Sequence, residues 1–359
     1  MLQKYKDLLG QVNEAHSSRD SLVTNSKVLI IDGMNVFMRS FSVVPTTNIN
    51  GDHIGGLTGF LTSLGRVIEI HRPTRIICVF DGPGGSVRRR KLFKPYKANR
   101  AAKGRYNRSY DFLDGDQEDR SKQDQLIRLA TYLQNFPITT TIIENIEADD
   151  AIAYMAMNLQ RDKSDDIVIM SSDKDYLQLV SDKISIWDPR KRKLMTPKGV
   201  QEDHEIPAHN FLLWRMVQGD MSDNIPGVKG IGLKKLKTCF PMIDGEDPVT
   251  MNQLIEYAET KCQAKKPLQA YQLIRDSRAV LERNYDLMQL HEVDIHATAK
   301  IQVADALRRP IPRLTTFPLI KMCMEDQLHS AIPNFEGWLQ NYFNPVDMFA
   351  KQFNDALGD

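Results

Sequence analysis

The chain has 359 residues, 42% of them hydrophobic, with 47 Lys and Arg against 46 Asp and Glu; it can bury a large core, as two domains or one with substantial additions, and any nucleic-acid surface must come from segregated rather than overall charge. No apolar run approaches the roughly 20 residues of a membrane span, and no signal-peptide core opens the chain. Cys78, Cys239, Cys262 and Cys323 form no CxxC pair, which argues against a zinc knuckle or a disulfide framework and for a reducing, cytoplasmic setting.

An amphipathic extension, residues 1–26, comes first. Strand-like runs then alternate with helical patterns: VLIID at 28–32, IICVFD at 76–81, TTTIIE at 139–144 and DIVIM at 166–170. That alternation predicts an α/β fold with a mostly parallel sheet and flanking crossover helices. From about Ile206 the strands stop and helical segments continue to Asp359, broken by PGVKGIG at 226–232.

Each main strand delivers acid at its carboxyl end. Asp32 ends the first, Asp81 the second, Glu147, Asp149 and Asp150 follow the third by a turn, and Asp173 and Asp175 follow the fourth. One such Asp is ordinarily a cap or turn former; Asp173 would cap a helix beginning near Tyr176, which leaves Asp175 open. The IEADD cluster alone suits a helix start favoured by the dipole. Four strand ends in succession do not reduce to caps, because an open parallel sheet gathers those ends along one edge. Glu147 and Asp150, three apart, share a helix face. So many carboxylates would raise one another's pKa values unless neutralised. An all-oxygen set suits magnesium or manganese, and carboxylates from several strands can hold two ions of the kind that cleave phosphodiesters.

From Arg88 to Arg108 the chain carries ten Lys or Arg and no acid, with Phe93, Tyr96 and Tyr106 interleaved. Such a segment repels itself and is expected to have little to pack against before an anion binds. It leaves the sheet just after Asp81, so it rises from the rim of the acidic edge, with aromatics able to stack on bases. A third signal is QGDMSDNIPGVKGIGLKKLKTCF, Gln218–Phe240. Gly227, Gly230 and Gly232 permit a tight turn whose amides can approach a phosphate, and Lys234, Lys235 and Lys237 follow. Asp220 and Asp223 stand just ahead of it.

Taken together, LIIDGMNVFMRS, VFDGPG, YKANR, IEADDAIA, SSDKDYLQL and GDMSDNIPGVKGIG resemble the 5′ nuclease family: flap endonucleases, the 5′ nuclease domain of bacterial DNA polymerase I, and bacteriophage 5′ exonucleases. The spacing, the WDPRKRKLM stretch and the lack of a polymerase domain look most like the T-even-type ribonuclease H. The resemblance covers roughly residues 27–300. It implies a PIN-like nuclease domain at 27–205 with a helical arch at about 84–120, a helical DNA-binding region at 206–310 with a helix-three-turn-helix motif at 218–240, and a C-terminal helical tail at 311–359.

Carried over by motif, Asp32, Asp81, Glu147, Asp149, Asp150 and Asp173 would surround a first metal ion, and Asp173, Asp175, Asp220 and Asp223 a second. The implied cofactors are two Mg2+, with Mn2+ able to substitute, and K+ at the helix-three-turn-helix. Lys97 and Arg89 take the arch positions that contact the scissile phosphate, with Arg88 or Arg90 an alternative to Arg89. DNA contacts fall to Arg88, Arg90, Lys94, Tyr96, Arg100, Arg105, Arg108, Gly227, Gly230, Gly232, Lys234 and Lys235. Two departures stand out: Glu147 replaces the Asp of many bacterial members, and the intact PGVKGIG is closer to the cellular members than to the T-even enzyme.

The implied activity is a two-metal 5′ to 3′ exonuclease and flap endonuclease that also removes RNA primers during DNA replication. Its substrates would be branched or nicked DNA and RNA–DNA duplex with a 5′ end or flap. Implied partners are a sliding clamp and a single-strand-binding protein, for a monomer away from membranes, in the cytoplasm of an infected host if the chain is bacteriophage-encoded. The rival readings are a PIN-type ribonuclease on single-stranded RNA, against which the duplex-gripping turn speaks, and a DNA-structure-binding protein without catalysis, against which the full ligand set speaks.

Overall fold

Val28, Leu29, Ile30 and Ile31 are consecutive and all buried, a pattern that suits a strand covered on both faces. They form β1 (Lys27–Asp32) at the heart of the computed structural model, which describes residues 25–99, 105–162, 164, 166–291 and 295–358. The chain continues through α1 (Gly33–Val43), α2 (Gly55–His71), β2 (Arg75–Asp81), α3 (Val87–Leu92), α4 (Gly115–Leu133), β3 (Ile138–Ile143), α5 (Ala148–Arg161) and β4 (Asp166–Met170). The sheet order is β3-β2-β1-β4, followed by β5 (Ile184–Asp188) and β6 (Lys193–Met195). All neighbours are parallel except β5 and β6.

Chain order runs outward from β1 through β2 to β3, then returns to the other side of β1 for β4 and β5. The reversal lies between β1 and β4, where Ile31 pairs with Met170, so the crevice beyond their carboxyl ends opens beside Asp32 and Ser171. β5 and β6 were not among the expected strands; each is short, and the PRKR turn between them hides their apolar residues among charges. The helix expected near Tyr176 is a 3-10 turn, Lys174–Leu179, and it starts earlier because Asp173 accepts from the amide of Asp175. Strands also do not end at Ile206: two-residue β7 (Gly219–Asp220) and β8 (Ile225–Pro226) pair within the glycine-bearing turn.

Strand alternation sends Val28 and Ile30 to one face and Leu29 and Ile31 to the other. The first face shares its core with α5 and with helices from α6 (Pro197–His204) and α7 (Phe211–Gln218) through α8 (Leu233–Cys239), α9 (Met251–Cys262), α10 (Gln269–Asp276), α11 (Arg278–Met288) and α12 (Ala297–Arg308). The second packs on α1, α2 and α4, and also on α13 (Thr316–Glu325) and α14 (Phe335–Gly358). Leu339 and Phe343 of α14 are fully buried, with the Phe343 ring stacked on Phe136 at 4.3 Å between centroids. The last fifty residues are thus part of the main core. Among the described residues no helix is long and apolar enough to cross a membrane.

Candidate metal and nucleic-acid site

Asp32 ends β1 and caps α1, its Oδ1 accepting from the amide of Asn35 at 3.1 Å. Its Oδ2 accepts from the Ser171 and Tyr176 hydroxyls at 3.1 and 3.2 Å. Burial, with Asp81 and Asp173 nearby, pushes this carboxyl up to about 7. Asp81 ends β2 and accepts from the amide of Ala148 at 2.9 Å, which fastens the start of α5 to the neighbouring strand. Glu147 precedes that helix, and Asp149 and Asp150 fill its first turn, where the dipole favours acid. Asp32, Asp81, Glu147, Asp149 and Asp173 line one cavity of about 640 Å³, together with Asn35, Arg39, Lys97, Tyr106, Arg108 and Ser172.

The other acids stand apart from that cavity. Asp150 faces Arg89. Asp175 and Asp220 are bridged by Arg215 at 2.9 and 2.5 Å. Asp223 lies 3.9 Å from the Lys97 ammonium. Burial and the adjacent Asp173 push Asp175 up to about 7. Asp173 is likewise raised, by desolvation and by Asp223 and Asp220.

The basic segment corrects the expectation that it has little to pack against. Arg89, on α3, is 2% exposed. Its Nη1 meets Glu147 at 2.5 Å, Asp149 at 3.3 Å and Asp150 at 3.0 Å; Nη2 meets Asp150 at 2.7 Å, and Nε donates to the Leu287 carbonyl at 2.8 Å. Lys97 donates to Glu147 at 2.6 Å. Burial raises Glu147, but Arg89 and Lys97 outweigh it and hold the carboxyl below its ordinary value. Asp149 stays well above its own, because burial, Asp150 and Glu147 outweigh Arg89.

Tyr96 was expected to stack on DNA. Its ring is instead buried against Ile225, Leu287 and Met288, and its hydroxyl donates to Glu147 at 2.8 Å. Tyr106 is exposed on the cavity wall, with the Lys122 ammonium 5.1 Å from its ring centroid. Asn107 is buried too, donating to the Phe41 carbonyl and so fastening residues 105–108 to α1. Arg88 reaches the Asp286 carbonyl at 3.5 Å. Arg90 and Lys94 are exposed, Arg105 reaches the Phe112 carbonyl, and Arg108 lines the cavity. Arg100 lies outside the described residues.

Between α7 and α8, Gly227 is required by close approach: a Cβ there would sit 2.2 Å from the Gln218 carbonyl oxygen. Gly230 is required by conformation, with φ +87°. Gly232 is neither, since its φ is −93° and a Cβ would meet nothing. Lys234 is exposed, Lys235 donates to the Gly230 carbonyl, and Lys237 is drawn away to Glu205 and Asp244.

Sequence reading missed Arg215, Asn35 and Arg39, none of which belongs to an acidic or basic run. Among the described residues no three His, Cys, Asp or Glu side chains are arranged to hold a metal ion as they stand; Arg89 engages Glu147, Asp149 and Asp150, Lys97 engages Glu147, and Arg215 bridges Asp175 and Asp220. The donor set is nevertheless suited to a hard divalent ion. It is all oxygen, and Asp32, Asp149, Asp173 and Asp175 are raised first by burial and then by neighbouring carboxylates, a penalty on their ionised forms that a bound cation would offset.

A family model described as 5′-3′ exonuclease, N-terminal resolvase-like domain, matches residues 27–205. The chain is 32% identical to a 5′-3′ exonuclease of Buchnera aphidicola subsp. Schizaphis graminum over 209 residues, 58% of this chain and 67% of that one. It is 30% identical to a 5′-3′ exonuclease of Bacillus subtilis over 243 residues, covering 65% and 74%. Against the DNA polymerase I of Rhizobium leguminosarum it is 31% identical over 231 residues, covering 62% of this chain and 21% of the polymerase. Among solved structures, the T5 5′-exonuclease with bound zinc is similar at TM-score 0.58 and 20% identity, covering 84% and 98% of the two chains. The bacteriophage T5 flap endonuclease in a pseudo-enzyme-product complex with DNA and metal ions gives 0.57 and 20%, covering 85% and 98%. At that identity the likeness is one of fold.

Proposed function

The chain belongs to the 5′-3′ exonuclease family, a family of metal-dependent nucleases, and on that premise we propose that it hydrolyses DNA at 5′ ends and at 5′ flaps of branched or nicked duplexes, using two divalent ions. The observation that carries this reading is the cavity into which four strand ends send Asp32, Asp81, Glu147, Asp149 and Asp173, with Lys97 reaching over it. Removal of RNA primers from RNA–DNA duplex, the activity suggested by the likeness to the T-even-type ribonuclease H, is part of the same proposal.

Two Mg2+, or Mn2+ in their place, would be held by the residues named from the motifs, Asp32, Asp81, Glu147, Asp149, Asp150 and Asp173 on one side and Asp173, Asp175, Asp220 and Asp223 on the other. The chemistry such ions supply when bound is activation of water and stabilisation of charge on the departing 3′ oxygen. Lys97 would exchange its contact with Glu147 for a scissile-phosphate oxygen, and Arg89 would move likewise from the acid cluster, placing positive charge where negative charge develops. Tyr106 and Arg108, on the cavity wall, would hold the strand beside the reacting phosphate.

The α7–α8 turn, with its amides, Lys234 and Lys235 and a K+ ion, would grip the duplex without reading sequence. In this reading residues 27–205 carry the chemistry and 206–310 the duplex grip. The protein would act as a cytoplasmic monomer beside a sliding clamp and a single-strand-binding protein. The test is cleavage of matched 5′-flap, nicked, gapped and RNA-primed duplexes with magnesium and with EDTA. Magnesium-dependent products bearing 5′ phosphates are expected, and no cleavage of any of the four refutes the proposal.

A further inference from the structure

Two tight turns face each other beside the acidic cavity. In the first, at 95–98, the Ala98 amide donates to the Pro95 carbonyl at 3.0 Å; in the second, at 221–224, the Asn224 amide donates to the Met221 carbonyl at 3.4 Å. The side chain of Asn224 donates to the Pro95 carbonyl at 2.8 Å, and that of Asn99 to the Met221 carbonyl at 3.0 Å. The carbonyl that opens each turn thus receives a side-chain amide from the end of the other turn or just beyond it. Between these two bonds the Lys97 amide donates to the Asp223 carbonyl at 2.9 Å. Lys97 has φ +55° and Asn224 φ +60°, a left-handed conformation that asparagine tolerates and lysine rarely adopts, so the Lys97 backbone has to be held by its surroundings. Alongside, the Tyr96 ring packs against Ile225, Leu287 and Met288, and Arg283 of α11 lies 4.7 Å from the centroid of the Phe93 ring while donating to the Pro226 carbonyl at 3.0 Å.

We propose that Asn224 and Asn99 are positioning residues: by clasping the turn at 95–98 to the turn at 221–224 they fix the backbone of Lys97, and with it the reach of its ammonium into the cavity. The inference rests on the reading of Lys97 as the residue that meets the scissile phosphate. The clasp engages Met221 and Asp223 through their carbonyls, so Asp220 and Asp223 keep their assignment as metal ligands. Neither asparagine is among the described residues that line the cavity, so an effect of either on cleavage has to pass through what it holds. β8, Ile225–Pro226, follows Asn224 directly and leads into the glycine turn, so the segment proposed to grip duplex is also the one that holds the lysine.

A misplacement of about 1 Å in a group that acts on the reacting atoms can cost on the order of 100-fold in rate, whereas binding of the substrate does not depend on that placement. A role through Lys97 therefore separates from a merely structural one in two ways. Cleavage at saturation falls with affinity little changed, and the effect disappears once Lys97 is gone. The experiment is single-turnover cleavage of a 5′ flap at saturating protein in magnesium, with binding of the same substrate in calcium. It compares the unaltered full chain with Asn224→Gly, Asn99→Ala, Lys97→Ala, and each asparagine variant combined with Lys97→Ala. Glycine at 224 keeps the left-handed conformation accessible and removes the side-chain amide.

Asn224→Gly and Asn99→Ala should each slow cleavage at saturation by roughly 10-fold, leave affinity in calcium close to that of the unaltered protein, and slow Lys97→Ala no further. An unchanged rate at saturation in either variant overturns the proposal, as does a slowing by the same factor with and without Lys97. If Asn224→Gly fails to fold, Asn99→Ala decides by the same comparison. If Lys97→Ala leaves no measurable rate, hydrogen exchange over residues 93–99 decides instead: faster exchange in the asparagine variants supports the clasp, and exchange as slow as in the unaltered protein overturns it. Wild-type cleavage at saturation by Lys97→Ala overturns the reading of that lysine itself, and this inference with it.

Discussion

Replacing Arg89 by Gln takes away a guanidinium that meets three carboxylates in a nearly dry setting. Glu147, Asp149 and Asp150 remain, with Lys97 on Glu147 alone among them at hydrogen-bond distance. Breaking a buried ion pair by deleting one partner costs about 3–5 kcal/mol, because the other charge stays behind unpaired. At about 2.1 cal/mol/K of unfolding entropy per residue, a chain of 359 residues would show this as a fall of roughly 4–7 °C in Tm. A divalent ion taken up by the same carboxylates replaces the lost charge, so the variant should regain more from magnesium than the unaltered protein does. Ligand at a hundredfold excess over its Kd is worth about 2.7 kcal/mol. The assay is thermal unfolding followed by circular dichroism, in EDTA and in a magnesium series. An EDTA Tm within about 1 °C of the unaltered protein, or equal magnesium gains in both, would refute the view that Arg89 is the resident counter-charge of this cluster.

Asp32, pushed up to about 7, binds its proton more tightly in the folded chain than in the unfolded one, so its ionised form lowers metal-free stability progressively as pH rises from about 4 to about 7. Asp32→Asn should therefore gain Tm over the unaltered protein across that window in EDTA, while losing magnesium-dependent cleavage; a difference in Tm that does not grow with pH would count against it. Lys97→Ala should slow single-turnover cleavage of a 5′ flap far more than it weakens binding, and the Arg105→Ala/Arg108→Ala pair should do the reverse and flatten the salt dependence; wild-type cleavage at saturation by Lys97→Ala would reduce that lysine to a tether. Gly227→Ala, whose Cβ would sit 2.2 Å from a backbone oxygen, should lower Tm and weaken duplex binding measured in calcium, whereas Gly232→Ala should change stability by no more than about 0.5 kcal/mol; equal effects at the two positions would refute the geometry.

The strands that carry the acids were legible because each is a run of apolar or β-branched residues ending in Asp or followed closely by acid. β5 and β6 were not, because three or five residues with charged neighbours leave too short a period to read. The segment after Asp81 was misread for a related reason. Its composition is that of a solvated, self-repelling stretch, and nothing local reveals that Arg89 and Tyr96 have acids 51 to 61 positions away to bury against. The α13–α14 region matched no motif, yet Leu339 and Phe343 fill the second face of the sheet.

Sequence alone determined that the acids lie at one edge, since parallel strands joined by crossover helices must all point their carboxyl ends the same way. It also determined where the chain turns between α7 and α8, because the glycines of PGVKGIG mark a turn; the structure adds the reason, a positive φ at Gly230 and a close approach at Gly227. Which acids share a cavity and which are engaged by Arg89 or Arg215 were decided only by tertiary structure. Those outcomes depend on charges brought together through space, and the strength of such pairs is set by burial and by distances of a few ångströms that no spacing along the chain encodes.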